Sequence, residues 1–216
     1  LVTLLTFPLC ALAMYALVHR LTKSVAGAFV AGLAFGFAPY RIAQLSHVQM
    51  LAAFWAPLAL VGLHAYLDTG RRRWLALYGA AWVAQGATSG YSLVFFSILV
   101  GFWVLWFVVA RHQWRALSMI AMTTTIAALP LLPVLDRYVT VHAAHGLERS
   151  VSEARAFSAD ISAVLCAPDS LSFWGWIRVG CYPEGDLLRE VELFPGIALL
   201  ALCGLQRLAR AADLLA

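Results

Sequence analysis

The sequence predicts an all-α fold, a polytopic transmembrane helix bundle of about seven spans with one long exoplasmic insertion. Three observations lead there. The 216 residues are 62% hydrophobic and only 12% charged, against about 25% charged in soluble domains, so a water-soluble fold would lack the polar surface to cover itself. The apolar residues fall into runs near the roughly 20 residues that a spanning helix needs. And 14 of the 26 charged side chains, nine acidic and five basic, are confined to one segment, 136–192.

The spans follow in order. The first covers about 1–19 and ends at His19-Arg20. The second, about 24–39, is short, ends at Pro39 and carries Gly27, Gly32 and Gly36, which suit close helix packing. The third, about 50–67, is followed by Arg71-Arg72-Arg73. The fourth and fifth, about 74–88 and 91–110, are split by Gly86, Ser89 and Gly90. The sixth, about 116–135, ends near Pro130 and Pro133, and the seventh, about 193–206, has Arg207 and Arg210 behind it. Residues 1–216 read as a single membrane domain with 136–192 inserted between the sixth and seventh spans. The chain begins at Leu1 inside an apolar run, with no basic region before it as a signal peptide requires, and reads as a fragment whose start lies upstream.

Charge tests this count, because loops on alternate sides of a membrane differ in Lys and Arg. One side collects Arg20, Lys23, Arg71, Arg72, Arg73, Arg111, Arg115, Arg207 and Arg210, while the short loops of the other contain only Arg41. The Arg-rich turns therefore belong in the cytoplasm, and both 39–50 and 136–192 outside. The net charge of +4 arises from these short clusters and is no sign of a nucleic-acid partner.

The outside turn 37–50, FAPYRIAQLSHVQM, packs Tyr40, Arg41, Gln44, Ser46, His47 and Gln49 between two helices. Arg41 at a membrane boundary can bind a lipid phosphate through paired hydrogen bonds, with His47 and Gln49 adding donors. The plainer alternative is an arginine that snorkels to the headgroups from a wet turn. The long segment holds Glu148, Glu153, Asp160, Asp169, Glu184, Asp186, Glu190 and Glu192. Of these Glu192 carries most weight, because it immediately precedes Leu193-Phe194-Pro195-Gly196, where the chain re-enters the membrane, and a carboxylate there needs a partner; otherwise it marks a helix start.

Other features divide between chemistry and packing. His142 and His145 have one-face helical spacing, but no acidic helix motif accompanies them, and they read as part of a flexible, solvated stretch. No metal-ligand spacing stands out and no cofactor is expected. His19, His64 and His112 read as interfacial. Cys10 and Cys203 lie within spans and read as packing residues. Cys166 and Cys181 both fall in the outside segment, where oxidation to a disulfide can occur. Short helices are expected near 149–156 and 158–166, with Ser150 and Glu153 spaced as a capping box, and Tyr182-Pro183-Glu184-Gly185 reads as a turn. Phe173-Trp174-Gly175-Trp176 reads as an outer-leaflet anchor or as a stacking surface for a sugar or lipid tail, and Phe102, Trp103, Trp106 and Phe107 as lipid-facing or packing residues. No Walker loop, dinucleotide glycine pattern or G-x-S-x-G is present. No Asp, Glu or Lys lies deep in a span, which counts against an ion-coupled transporter.

The stretches AFGFAPYRIAQLSHVQML, FWAPLALVGLHAYLDTGRRRWLAL, SGYSLVFF, YPEG and ELFPG together resemble a group of bacterial multi-spanning proteins placed with the GT-C glycosyltransferases, over about residues 25–205. The resemblance implies an enzyme of the bacterial inner membrane that transfers a sugar from a polyprenyl-phosphate donor on the outer face. It implies donor-phosphate contacts for Arg41, His47 and Gln49, beside Tyr40, and a place on the acceptor side for Glu192. Such enzymes carry their acidic base in an exoplasmic loop after the first helix, and no residue of this sequence matches it. The alternative is a non-catalytic lipid-handling or envelope-assembly protein with membrane lipid as its partner.

Overall fold

Helix is the one regular backbone that satisfies its own N–H and C=O groups without water or a neighbouring strand, and every regular element among the described residues is helical. The structure is a computed structural model that describes residues 1–146, 150–151, 158–159, 161–179, 181 and 192–202. Its helices are α1 (Val2–Thr22), α2 (Val25–Gly36), α3 (Tyr40–Ala43), α4 (Val48–Leu51), α5 (Trp55–Thr69), α6 (Arg72–Thr88), α7 (Gly90–Val104), α8 (Trp114–Ala128) and α9 (Leu132–His145). The chain divides into two compact units, Leu1–Gly36 with His47–Glu148, and Phe37–Ser46 with Arg149–Ala216.

The first unit is assembled by close backbone contact. A Cβ on Gly32 would lie 2.7 Å from the Ala11 carbonyl oxygen, and one on Gly36 2.6 Å from the Ala11 Cβ. These two glycines let α2 lie directly on α1, as their pattern in the sequence predicts, whereas Gly27 meets only the side chain of Ser24. Gly62 does the same between α5 and α6, its would-be Cβ 2.8 Å from both the Trp74 oxygen and the Tyr78 nitrogen. The α5–α6 turn closes at Gly70, in the left-handed region (φ 64°), whose N–H bonds the Tyr66 carbonyl at 2.8 Å. Leu63, Tyr78, Trp82, Phe96, Trp103 and Ile120 fill the core between α5, α6, α7 and α8.

Polar side chains inside this unit pair across helices. The Gln85 carboxamide oxygen accepts the Ala56 N–H at 3.1 Å in the first turn of α5, a donor shared with the Ala53 carbonyl at 3.3 Å. The Tyr78 hydroxyl meets Thr124 Oγ1 at 2.8 Å. The Trp103 indole N–H donates to His64 Nε2 at 2.9 Å, so His64 is a half-buried acceptor between α5 and α7, one ring away from Arg111 of the basic turn. Past α7 the chain widens into a π-helical turn, Leu105–Val109, and Phe107 within it lies against the rings of His64 and Trp103. Phe102 and Trp106 point outward, Trp106 71% exposed, while Trp103 is buried.

One end of the first unit gathers basic groups. Arg20 on α1 pairs with Asp68 on α5 at 2.9 Å. The Arg20 and Arg73 guanidinium groups both lie over the Trp74 ring, at 5.7 and 5.0 Å, and the Gly70 turn and Arg115 line a common hollow. The sides of the helices are the reverse: Leu4, Leu12, Phe95, Phe102 and Trp106 all lie open, far more contiguous apolar surface than a soluble monomer tolerates.

Among the described residues five helical stretches are long and apolar enough to cross a membrane: Val2–Thr22, Val25–Ala43, Val48–Thr69, Gly90–Val109 and Trp114–His145. The fourth span expected from the sequence falls in α6, which has 17 residues and opens on two arginines. The seventh is described only as far as 202, with 197–202 helical. The helix expected to end near Pro130 and Pro133 does not end there. Each proline occupies the first turn of a new helical piece, Leu129–Leu131 and then α9, where its missing N–H costs no bond. Helix therefore continues to His145, and His142 and His145 lie in its last turn rather than in a flexible stretch.

Close packing at Gly62 gives the first expectation. Gly62→Ala forces the α5 and α6 backbones apart and should cost ~1–3 kcal/mol, the usual price of overpacking. Gly101→Ala, whose Cβ meets nothing within 4 Å, should be neutral or slightly stabilising. Thermal melts of the two variants in one detergent compare them, and equal melting temperatures would refute the backbone-contact account.

Candidate functional site

The described part of the second unit is largely irregular backbone, so its polar groups need individual partners. Pro39 starts the short helix α3, and the Arg41 and Ile42 N–H groups bond the Ala38 and Pro39 carbonyls at 3.0 Å each. That turn buries Arg41 completely and Gln44 almost so, with Tyr40 half-buried. An arginine snorkelling to headgroups would keep its head exposed; Arg41 does not. Pro39 also touches Gly196, whose would-be Cβ lies 3.5 Å from the proline ring.

The rest of the described unit is a loop closed on itself. A disulfide joins Cys166 to Cys181, with their Cα atoms 5.2 Å apart. Inside it Cys166 and Arg178 form a single antiparallel bridge, and the Ala167 N–H bonds the Ile177 carbonyl at 2.9 Å. The expected helix 158–166 is reduced to a 3₁₀ piece, Ile161–Leu165. Residues 192–194 dock on the base of this loop. The Leu193 N–H bonds the Ala163 carbonyl and the Phe194 N–H bonds the Cys166 carbonyl, both at 3.2 Å.

That docking carries Glu192 into the unit, 4% exposed. Its carboxylate lies 3.6 Å from the Arg178 guanidinium, which also donates to the Ala167 carbonyl at 3.4 Å, and it accepts the backbone N–H of Asp169. Burial pushes the Glu192 carboxyl above its ordinary value and the neighbouring Asp169 charge adds to this, while Arg178 and the two hydrogen bonds act in the opposite sense. The result is a carboxyl that holds a proton nearer neutrality than a free one, the property a proton-transfer group needs.

Tyr40, Arg41 and Glu192 thus belong to one unit. His47 and Gln49 belong to the other, where the His47 carbonyl accepts the Met50 and Leu51 N–H groups at the start of α4 and the Gln49 side chain is exposed. Glu148, Glu153, Asp160, Glu184, Asp186 and Glu190, the Tyr182–Gly185 turn, Cys203 and most of the helix expected at 149–156 lie outside the described residues. Arg178 is the partner that sequence reasoning missed. One signal points to it: between Cys166 and Cys181 it is the one basic residue and Asp169 the one acidic residue. Comparison with protein families, with curated proteins and with solved structures finds no match to this chain.

The raised Glu192 pKa fixes the sign of a pH effect. The folded state binds this proton more tightly than the unfolded one, so Glu192 favours folding below the ordinary carboxylate value of 4.5, and that contribution is lost as pH rises through the raised value. Relative to Glu192→Gln, the wild-type melting temperature should therefore fall on going from pH 4 upward. Arg178→Gln, which leaves the buried carboxylate without its counter-charge, should steepen the fall. Melting curves that run parallel for wild type and Glu192→Gln across this range would show that Glu192 is not buried as described.

Proposed function

We propose that this chain is a membrane glycosyltransferase of the GT-C type, which transfers a sugar from a polyprenyl-phosphate donor to an acceptor on the outer face of the bacterial inner membrane. The observation that carries the reading is a disulfide-closed unit that buries an arginine, Arg41, and a carboxyl with a raised pKa, Glu192. In the scheme a carboxylate on the outer face deprotonates the acceptor hydroxyl. Arg41, with Tyr40, stabilises the charge that develops on the departing polyprenyl phosphate. Glu192, locked by Arg178 and the Asp169 N–H, shapes the acceptor side as a positioning residue.

Seven spans belong to the same proposal, α6 and the helix that begins at 197 being added to the five long stretches. The basic turns face the cytoplasm, and residues 39–50 and 136–192 lie outside. Two observations support this orientation. The Cys166–Cys181 disulfide suits an oxidising compartment, and Arg20, Arg71, Arg72, Arg73, Arg111 and Arg115 all fall at the turns expected on the opposite side.

The second reading is a non-catalytic lipid-handling protein that holds a phosphate headgroup without turnover. The near-complete burial of Glu192 beneath its own loop favours it, because a side chain so covered offers little surface on which to position an acceptor. Envelope glycans of cells carrying Arg41→Ala, analysed by mass spectrometry with the protein's membrane abundance as control, test both. The transferase reading expects the glycan to fall by ~10²-fold or more, the scale on which one charge-stabilising donor contributes, with Arg41→Lys partly restoring it. The lipid-handling reading expects unchanged glycan with weakened retention of polyprenyl phosphate. If neither changes while the protein is present at its normal level, Arg41 has no part in either scheme.

A further inference from the structure

The disulfide loop presents two large rings to its surroundings, and the chemistry of its tip says what they meet. Between Leu171 and Ile177 the chain turns back on itself through Gly175, whose N–H bonds the Leu171 carbonyl at 2.8 Å. A Cβ there would sit 2.7 Å from both the Asp169 and Leu171 carbonyl oxygens, so the turn requires glycine. The fold-back divides the aromatic residues. Trp174 turns inward, its ring 6.4 Å from that of Phe194. Phe173 and Trp176 turn outward, 81% and 76% exposed. The closed disulfide and the bridge at its base hold this arrangement in place.

Three features distinguish the tip from a sugar-binding platform. Residues 170–177 contain no charged side chain. The loop's own Arg178 is committed to Glu192 and the Ala167 carbonyl. The one polar atom of Trp176, its indole N–H, donates to the Phe173 carbonyl at 2.9 Å and is spent within the loop. What remains at the two outward rings is rigid apolar surface with no free side-chain donor of their own, flanked only by the uncharged Ser170 and Ser172. Its position along the chain supplies the partner. Phe194 is hydrogen-bonded to Cys166 at the loop's base, and apolar helix begins three residues later at Ile197. Three residues span at most about 10 Å, so a helix that enters the bilayer there keeps the loop within reach of the lipid surface.

We propose that Phe173 and Trp176 insert into the lipid interface, and that the disulfide loop is a preformed membrane wedge whose partner is the bilayer itself. Tryptophan and phenylalanine favour that boundary, and a loop already locked in shape loses little freedom on entering it. This inference does not depend on the transferase reading and stands or falls separately from it.

The full chain, labelled with 5-fluorotryptophan and reconstituted in phosphatidylcholine nanodiscs, tests it by ¹⁹F NMR. The Trp176 resonance is assigned by its loss in Trp176→Phe, or in Trp176→Tyr should the first variant not fold. A nitroxide carried on carbon 5 of a phosphatidylcholine acyl chain should broaden that resonance several-fold more than a water-soluble gadolinium chelate does. Equal broadening by the two probes, or stronger broadening by the chelate, would overturn the proposal. So would a shift of the Trp176 resonance on adding soluble oligosaccharide, which would make the tip a sugar platform instead.

Discussion

Hydrocarbon offers no hydrogen bonds, and most of this chain is arranged around that fact. Backbone groups are satisfied by helix, and several polar side chains within the bundle pair with one another or with the backbone. Gln85 accepts the Ala56 N–H in the first turn of α5, Tyr78 meets Thr124, and Trp103 meets His64. Each of these bonds ties two helices in a fixed register, because its partners come from different elements. Hydrophobic burial cannot supply that register where the surrounding lipid is as apolar as the helix surface. Gly32, Gly36 and Gly62 supply the remainder by letting backbones touch, so that dispersion contacts hold the helices together.

The second unit solves the same problem by different means. Its described part has little helix of its own, so its peptide groups are paired one at a time: Ala167 with Ile177, Gly175 with Leu171, Phe194 with Cys166. The disulfide adds to this by reducing the freedom of the unfolded chain with which the unit competes. The brace and the buried carboxyl are also one construction. The segment that hydrogen-bonds to Cys166 at Phe194 is the segment that places Glu192 beside Arg178. A change at either point is therefore felt at the other.

Much of the first unit was legible in the sequence because its signals are local. Apolar runs give the helices, the Arg71-Arg72-Arg73 cluster marks the end of the third, and the pairing of Gly32 with Gly36 at four-residue spacing marks one helix face. The cysteine pair was legible as a candidate from its spacing and placement. What the sequence hid falls into two kinds. Pro130 and Pro133 read as stops, because a proline in a helix interior removes a bond; at a first turn it removes none, and which case holds depends on how the following residues pack. Arg178 with Glu192, Trp103 with His64 and Gln85 with Ala56 are the second kind. They join residues 14 to 39 positions apart, and no local pattern specifies a register between separate elements.

The same distinction bears on where chemistry can reside. A polar residue that the fold has already paired, such as Gln85 or Tyr78, fixes the scaffold. Its partner is a backbone group or a hydroxyl that has no second state. Glu192 differs in kind, because its environment pulls in both directions at once. Burial and Asp169 favour the neutral acid, while Arg178 and the Asp169 N–H favour the anion. A group balanced in that way can change protonation with a small change in its surroundings, such as a ligand that competes for Arg178 or excludes further water. Arg41 is buried in the same unit. The second unit therefore holds a buried guanidinium and a carboxyl under opposing influences, one kind of group that fixes charge and one that responds to its surroundings.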